Sequence, residues 1–320
     1  MEKTQTYPLE LIELAKNISC NFIDARTTTK DYLKKTVLEN KFDEITIQPN
    51  HFIVSTCLRY EVYSCVNEQK HEHPFLFVKG LTCIRRLLSI LVGLHSEIIG
   101  EKEILIQVSK SIDDSYTAGL INESTFQSLQ KLIDVSKKIR KDCELDNNEN
   151  YSTIAADIFV EHLSDYDNAT VAIVGGGYMA NKFFSALLGV KSSVKIKKIF
   201  WINRGTSRLS EYVNEISHLL DIDIEILDLE AGRHVLKESD AIFSAISKSP
   251  KLYSNEEYKE GSLIVDVSYP QVFGEKNNIN FITISNTDFN SLVKRGIVKG
   301  NINLANSCID NVMDFIMGNS

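Results

Sequence analysis

The hexapeptide GGGYMA, Gly175 to Ala180, directly follows the apolar run TVAIV and opens the stretch YMANKFFSALLG, and no other feature narrows the choice of fold as far. It fits the pattern G-x-G-x-x-A between a strand and a helix. Gly175 makes the turn and Gly177 lets the backbone approach a pyrophosphate. Ala180 allows the helix to pack closely on the sheet, and the helix N-terminus favours the anion. Gly176, Tyr178 and Met179 complete the loop, so residues 175–180 together are the candidate cofactor cradle. Around it, KIKKIFWINR, IDIEIL, SDAIFSAI, SLIVDVS and INFITIS supply five more strand-like runs separated by helical segments. That alternation predicts a doubly wound parallel sheet with right-handed crossovers, which turns a weak motif into a dinucleotide site.

The first of these runs, the second strand after TVAIV, leads into WINRGTSR, where an NAD site would carry an acidic residue for the ribose hydroxyls. Asn203, Arg204, Ser207 and Arg208 instead offer donors suited to a 2′-phosphate, favouring NADPH over NADH. The structural alternative is that they cap and solvate the following helix.

The chain has 320 residues, enough for two domains. Residues 1 to about 80 mix FIDAR, HFIVST and RYEVYSCV as strands with LELIELAKNI and TKDYLKKTVLE as helices, an α+β pattern. TCIRRLLSILVGL, EKEILIQVSKSIDDSYTAG and NESTFQSLQKLIDVSKKIRKDCE follow at helical spacing, and ELDNNENYS is a polar break. The expected organisation is therefore α/β: an N-terminal α+β domain over 1–150, a Rossmann-like domain over 151–300 and a short C-terminal helix over 301–320. The six cysteines form no C-x-x-C pair and read as free thiols, which excludes a zinc ribbon, and no metal set is expected. No apolar run is long enough to span a membrane, and the N-terminus has neither a basic nor an apolar signal region, so the cytoplasm is the expected compartment. The formal net charge is −8, and residues 1–150 hold 19 Lys and Arg against 22 Asp and Glu. Broad attachment to DNA or RNA is excluded on that balance. The basic run KLIDVSKKIRKD reads as a solvated helix face.

Cys57 stands where HFIV ends and RYEVYSCV begins, with Arg59 two residues on. Strand alternation puts Arg59, Glu61, Tyr63 and Cys65 on one face and Tyr60, Val62, Ser64 and Val66 on the other. A neighbouring guanidinium raises the thiolate fraction of a cysteine, yet most cysteines are packing residues, and the residues alone leave both roles open.

VSTCLRYEVY resembles the STCNRTE segment of the glutamyl-tRNA reductase family, and GLHSEIIGEKEILIQV is similar to that family's GLDSxxxGExQIxxQV. The glycine loop, the Asn-Arg after the second strand, SDAIFSAISKSP and LIVDVSYP follow in the family's order. The resemblance implies that Cys57 attacks the ester carbonyl of glutamyl-tRNA and holds glutamate as a thioester, which NADPH reduces to glutamate-1-semialdehyde. It implies that Arg59 pairs with a substrate carboxylate and that Ser55, Thr56, Ser96, Glu101 and Gln107 surround the substrate. A downstream aminomutase is the implied further partner.

The chain departs from the family pattern at several points. Leu58, His95 and Glu103 replace its Asn, Asp and Gln, and Ala25 replaces an early histidine. The histidine placed some seventeen residues before GLDS has no counterpart, Val78 standing at about that position. His95 reads as a solvated helix-terminal residue and not as a substitute base. The alternatives to the glutamyl-tRNA reading are a reductase of another aminoacyl or thioester donor, or a non-catalytic nucleotide-binding homologue.

Overall fold

The computed structural model describes residues 7–28, 33, 49–56, 59–66, 75–145, 149–189, 194–217, 220–246, 252–268, 271–274, 279–283 and 302–319. The chain forms two compact units, residues 1–148 with 297–320, and residues 149–296. Among the described residues no helix is long and apolar enough to cross a membrane. The segment TKDYLKKTVLE lies almost wholly outside the described residues.

The first unit begins with α1 (Glu10–Asn17) and β1 (Ser19–Asp24), followed by β2 (His51–Thr56), β3 (Arg59–Ser64) and β4 (Leu76–Lys79). The four strands pair antiparallel in the order β2-β3-β1-β4. Period-two alternation divides their side chains between two apolar clusters. Cys20, Phe22, Phe52, Val54, Tyr63 and Cys65 face the helices, whereas Ile23, Tyr60 and Val62 meet Leu33 and Phe75 on the other side. β3 is buried along its whole length, so both of its faces are core. β4 was not expected from the sequence: it is four residues long and lies at a half-exposed sheet edge, too short for alternation to show.

Helices α2 (Leu81–Val92), α3 (Lys102–Thr117) and α4 (Glu123–Asp142) cover the first face. α2 is apolar on nearly every side. Leu87, Leu88, Ile90 and Leu91 are fully buried, each contributing roughly 2 kcal/mol of hydrophobic stabilisation. It stops at Gly93, whose φ of 85° only glycine adopts freely. There the amide of Leu94 donates to the Ser89 carbonyl and that of Gly93 to Ile90, a Schellman ending. The C-terminal helix, Ile302–Gly318, packs into the same core through Ala305, Ile309, Val312 and Ile316.

The second unit opens with α5 (Tyr151–Leu163), a helix hidden from the sequence reading because its N-cap lies inside the polar stretch ELDNNENYS. Asn150 caps it, its side chain accepting from the Ser152 and Thr153 amides while the Thr153 hydroxyl accepts from the Asn150 amide. Then come β5 (Ala169–Val174), α6 (Tyr178–Gly189), β6 (Ile196–Ile202), α7 (Ser207–Ser217), β7 (Asp223–Leu227), β8 (Ala241–Ser244), β9 (Leu263–Asp266) and β10 (Asn280–Thr283). All six strand-like runs read from the sequence are strands. They form one parallel sheet in the order β10-β9-β8-β5-β6-β7, which reverses direction between β5 and β8. β8 and β9 are buried throughout because both faces of such a sheet are covered. On one side Phe183 of α6 stacks on Phe243 at 4.0 Å between ring centres and meets Phe159 of α5 edge-on at 4.8 Å.

Candidate active site

In the second unit the turn from β5 into α6 is built by its glycines. Gly175 has φ 121°, and a Cβ there would stand 2.6 Å from the Ala245 carbonyl oxygen. The turn is pinned from both sides: Gly175 donates to the Ile202 carbonyl at 2.8 Å, and the Trp201 indole donates to the Gly175 carbonyl at 2.7 Å. Beyond Gly177 a Cβ would meet nothing within 4 Å, so the backbone there is open to an approaching group. Ala180 is fully buried against the sheet, while Tyr178 is exposed. The Met179 carbonyl accepts from the Ser152 hydroxyl at 2.8 Å, which ties the loop to the first turn of α5. This cradle lies at the carboxyl ends of the strands beside the reversal of strand order, the place where doubly wound sheets bind ligands. A dinucleotide fits it: the turn excludes side chains, and the N-terminal end of α6 is the positive pole of the helix dipole.

Asn203 packs against Gly176, where a Cβ would come within 2.5 Å of its amide nitrogen, and that nitrogen donates to the Gly205 carbonyl at 2.7 Å. Asn203 therefore shapes the wall of the turn. Arg204, Ser207 and Arg208 are exposed beside it. At the neighbouring strand ends the Ser244 and Ser268 hydroxyls pair at 2.6 Å. The buried Asp266 carboxylate accepts from the Ser268, Val272 and Phe273 amides, holding residues 268 and 272–273 at the end of β9.

In the first unit, Thr56 and Arg59 are register partners on β2 and β3. They bracket Cys57 and Leu58, which lie outside the described residues. Arg59 is only 3% exposed. Its Nη2 donates to the His95 carbonyl at 2.6 Å, and Nη1 stands 3.7 Å from Glu61 Oε1. Its Nε and Nη1 have no hydrogen-bond acceptor among the described residues. A buried guanidinium with two unmet donors is costly unless something else satisfies them.

Beneath Arg59, Arg86 bridges two buried carboxylates, donating to Asp24 at 2.6 Å and to Glu61 at 2.7 Å. The Tyr63 hydroxyl donates to the other Glu61 oxygen at 2.6 Å, and the Arg86 guanidinium lies 3.4 Å above the Phe22 ring centre. Burial alone would raise the Asp24 carboxyl; the Arg86 hydrogen bond and charge, with the Arg26 and Thr27 donors, hold it below the usual range. This network was not singled out from the sequence. Glu61 sits in the quoted run RYEVY, but Asp24 and Arg86 come from distant segments and carry no spacing signal.

The segment 93–101 between α2 and α3 closes over this corner and carries Ser96 and Glu101, both buried. Burial pushes the Glu101 carboxyl up to about 7, against the opposing pull of the Ser96 hydroxyl and the Arg59 cation. His95 is half-buried, and burial with the Arg26, Arg86 and Arg59 charges pushes its imidazole down to about 4. It stays neutral at pH 7, and the expectation of a plainly solvated histidine is corrected accordingly. The structure thus brings Arg59, Ser96 and Glu101 together. Ser55 and Gln107 line a different groove of about 470 Å³ between β2 and α3, with Phe52, Val54 and Ser111 among its walls.

Glu101 makes the stability of the fold pH-dependent. A carboxyl raised in the folded state stabilises it fully below about pH 4.5, and that contribution is lost as pH rises through 7. Between those limits the wild type is expected to lose about 3 kcal/mol relative to Glu101→Gln, read from urea unfolding at pH 4.5 and 8. A difference that does not change with pH would refute the assignment.

The fold and these two sites define a class: a Rossmann-type nucleotide-binding unit joined to an antiparallel α+β unit that holds a buried arginine–carboxylate pocket. Residues 16–143 match the family model described as glutamyl-tRNAGlu reductase, N-terminal domain, and residues 155–288 match the shikimate / quinate 5-dehydrogenase model. The glutamyl-tRNA reductase of Sulfurisphaera tokodaii is 27% identical over 253 residues, covering 73% of this chain and 57% of that protein. The Clostridium perfringens enzyme of the same name is 27% identical over 266 residues, covering 73% and 59%. A solved glutamyl-tRNA reductase structure from Methanopyrus kandleri superposes with a TM-score of 0.43 at 17% identity, covering 94% of this chain and 78% of that one. The N-terminal family model and the curated relatives together support the glutamyl-tRNA reductase family. It spans less than two-thirds of the length of these two curated relatives.

Proposed function

We propose that the protein reduces the glutamyl group of glutamyl-tRNA to glutamate-1-semialdehyde with NADPH, through a thioester on Cys57. The observation that supports this reading best is the buried Arg59 guanidinium, whose Nε and Nη1 have no acceptor among the described residues. An incoming carboxylate could accept from either of these donors together with the second Nη2 hydrogen, the planar two-point geometry that lysine cannot offer.

In this reading the Cys57 thiolate attacks the ester carbonyl carbon, a C–S bond forms, and the ester C–O bond breaks to release the tRNA hydroxyl. Arg59 holds a carboxylate of the glutamyl group. Ser96 and Glu101 close the pocket on the same side, Thr56 stands opposite Arg59 in the sheet, and Ser55 and Gln107 line the separate groove between β2 and α3. Residues 175–180 would hold the pyrophosphate, with Asn203 as wall and Arg204, Ser207 and Arg208 offered to a 2′-phosphate. When bound, NADPH supplies the hydride that converts the acyl group to an aldehyde as Cys57 leaves as the thiol. In this division of labour residues 1–150 bind the substrate, 151–300 hold the dinucleotide, and 301–320 serve the first group. The reactive product suits direct transfer to an aminomutase.

The test is incubation with glutamyl-tRNA, alone and with NADPH, following ester loss, NADPH oxidation and aldehyde. The expected result is ester loss in both cases and aldehyde only with NADPH. Absence of both, in protein that binds NADPH, would reject the reading. The phosphate preference has its own measurement: Arg204→Ala is expected to weaken NADPH binding about tenfold, the size of a charge-assisted hydrogen bond, with little effect on NADH. Equal losses for the two would contradict it.

A further inference from the structure

The run KLIDVSKKIRKD, expected to be a solvated helix face, contains a residue that is not solvated. Arg140 on α4 is 1% exposed. Its Nη1 donates to the Leu91 and Val92 carbonyls at 3.2 and 2.9 Å, and its Nη2 to the Gly100 and Glu101 carbonyls at 2.6 and 3.1 Å. The first two are at the end of α2, where unpaired carbonyls and the helix dipole favour a cation. The other two are where α3 begins. One guanidinium therefore joins both ends of the segment 93–101.

The backbone is shaped to admit that guanidinium. Gly93 and Gly100 have φ of 85° and 75°, and the Gly100 amide donates to the Gly93 carbonyl at 3.2 Å, closing the segment on itself. A Cβ on Gly93 would stand 3.1 Å from Arg140 Nη1 and 2.9 Å from the Gly100 Cα, and one on Gly100 would collide with the Leu145 carbonyl just past α4. The loop thus crosses itself at two glycines, with the arginine packed against the crossing.

We infer that Arg140 is a positioning residue: it clamps the segment 93–101 and so fixes both the His95 carbonyl that holds Arg59 and the buried Glu101. It touches no reacting atom. The inference rests on the proposed reading of Arg59 and Glu101 as site residues, but its physical part can be measured without substrate. A lysine could reach one pair of carbonyls and not both, because it lacks the fork.

The experiment uses the full chain in wild-type and Arg140→Lys forms, with Arg140→Met as the harsher variant. In the wild type, amide hydrogen exchange of the hydrogen-bonded Leu94, Gly100 and Glu101 amides is expected to occur only with global unfolding. Fast local exchange there would overturn the clamp even if no variant folds. In folded Arg140→Lys, exchange of these amides is expected to rise at least about tenfold above that of β3. The Glu101 carboxyl, followed by ¹³C NMR with Glu101→Gln for assignment, is expected to titrate at least about one pH unit lower as water enters. A residue of merely structural importance would lower Tm and leave the Glu101 midpoint unchanged, and that outcome rejects the inference. With glutamyl-tRNA, KM is expected to rise about tenfold with a smaller change in kcat. If the wild type is inactive but the exchange and titration behave as stated, the functional reading fails and the clamp stands. If activity is present and Arg140→Lys changes neither readout, the clamp fails alone.

Discussion

Cys57→Ser is expected to abolish both halves of the proposed reaction, lowering release of tRNA from glutamyl-tRNA by on the order of a thousandfold while leaving NADPH binding intact. At pH 7 a few per cent of ordinary cysteine is thiolate, and a nearby guanidinium increases that share; a serine hydroxyl is essentially un-ionised and has no base assigned to it here. Thioester accumulation without NADPH should be visible by mass spectrometry in the wild type and absent from the variant. Ester loss continuing at the wild-type rate in Cys57→Ser would remove this residue from the mechanism.

The second large effect falls on stability. Arg86→Met should destabilise the protein by about 3–5 kcal/mol, because it strips the partner from two carboxylates that are already out of water. Glu61 is fully buried and Asp24 is 3% exposed, so neither is rescued by solvent. Methionine keeps most of the side-chain volume, which separates loss of charge from loss of packing. The pH dependence follows from the lowered Asp24 carboxyl. A depressed group contributes stability above its ordinary value of 3.8, and that contribution is lost as pH falls through its folded value. The deficit of Arg86→Met should therefore be full at pH 7 and shrink on acidification below about pH 4. Urea midpoints for both proteins at pH 7 and 3.5 check this, and a loss under about 1 kcal/mol at pH 7 would mean the pair is not buried as described.

Much of the nucleotide-binding unit was legible in the sequence because its signals are local. β5, β8 and β9 are mostly apolar runs, and Gly175 occupies a turn that only glycine fills. The substrate side was legible only in part. Arg59 and Glu101 were singled out by resemblance, but their burial together depends on Arg86, Asp24 and Arg140 arriving from three other segments. Pairing across 62 residues, as between Asp24 and Arg86, leaves no periodicity to read. Arg140 was misread for the same reason: five cations in KLIDVSKKIRKD look alike in sequence, and only the fold shows which one turns inward. Cys57, on which the proposed chemistry turns, lies outside the described residues.

The C-terminal helix has a consequence for how the molecule is made. Its Ile309, Val312 and Ile316 complete the core of a unit whose other members precede residue 149, so the nucleotide-binding unit is an insertion within the first one. On a ribosome, about 150 residues of the second unit must emerge before the first can close its hydrophobic interior. Until then an oily seam stays open on the nascent chain, a natural point of capture for chaperones.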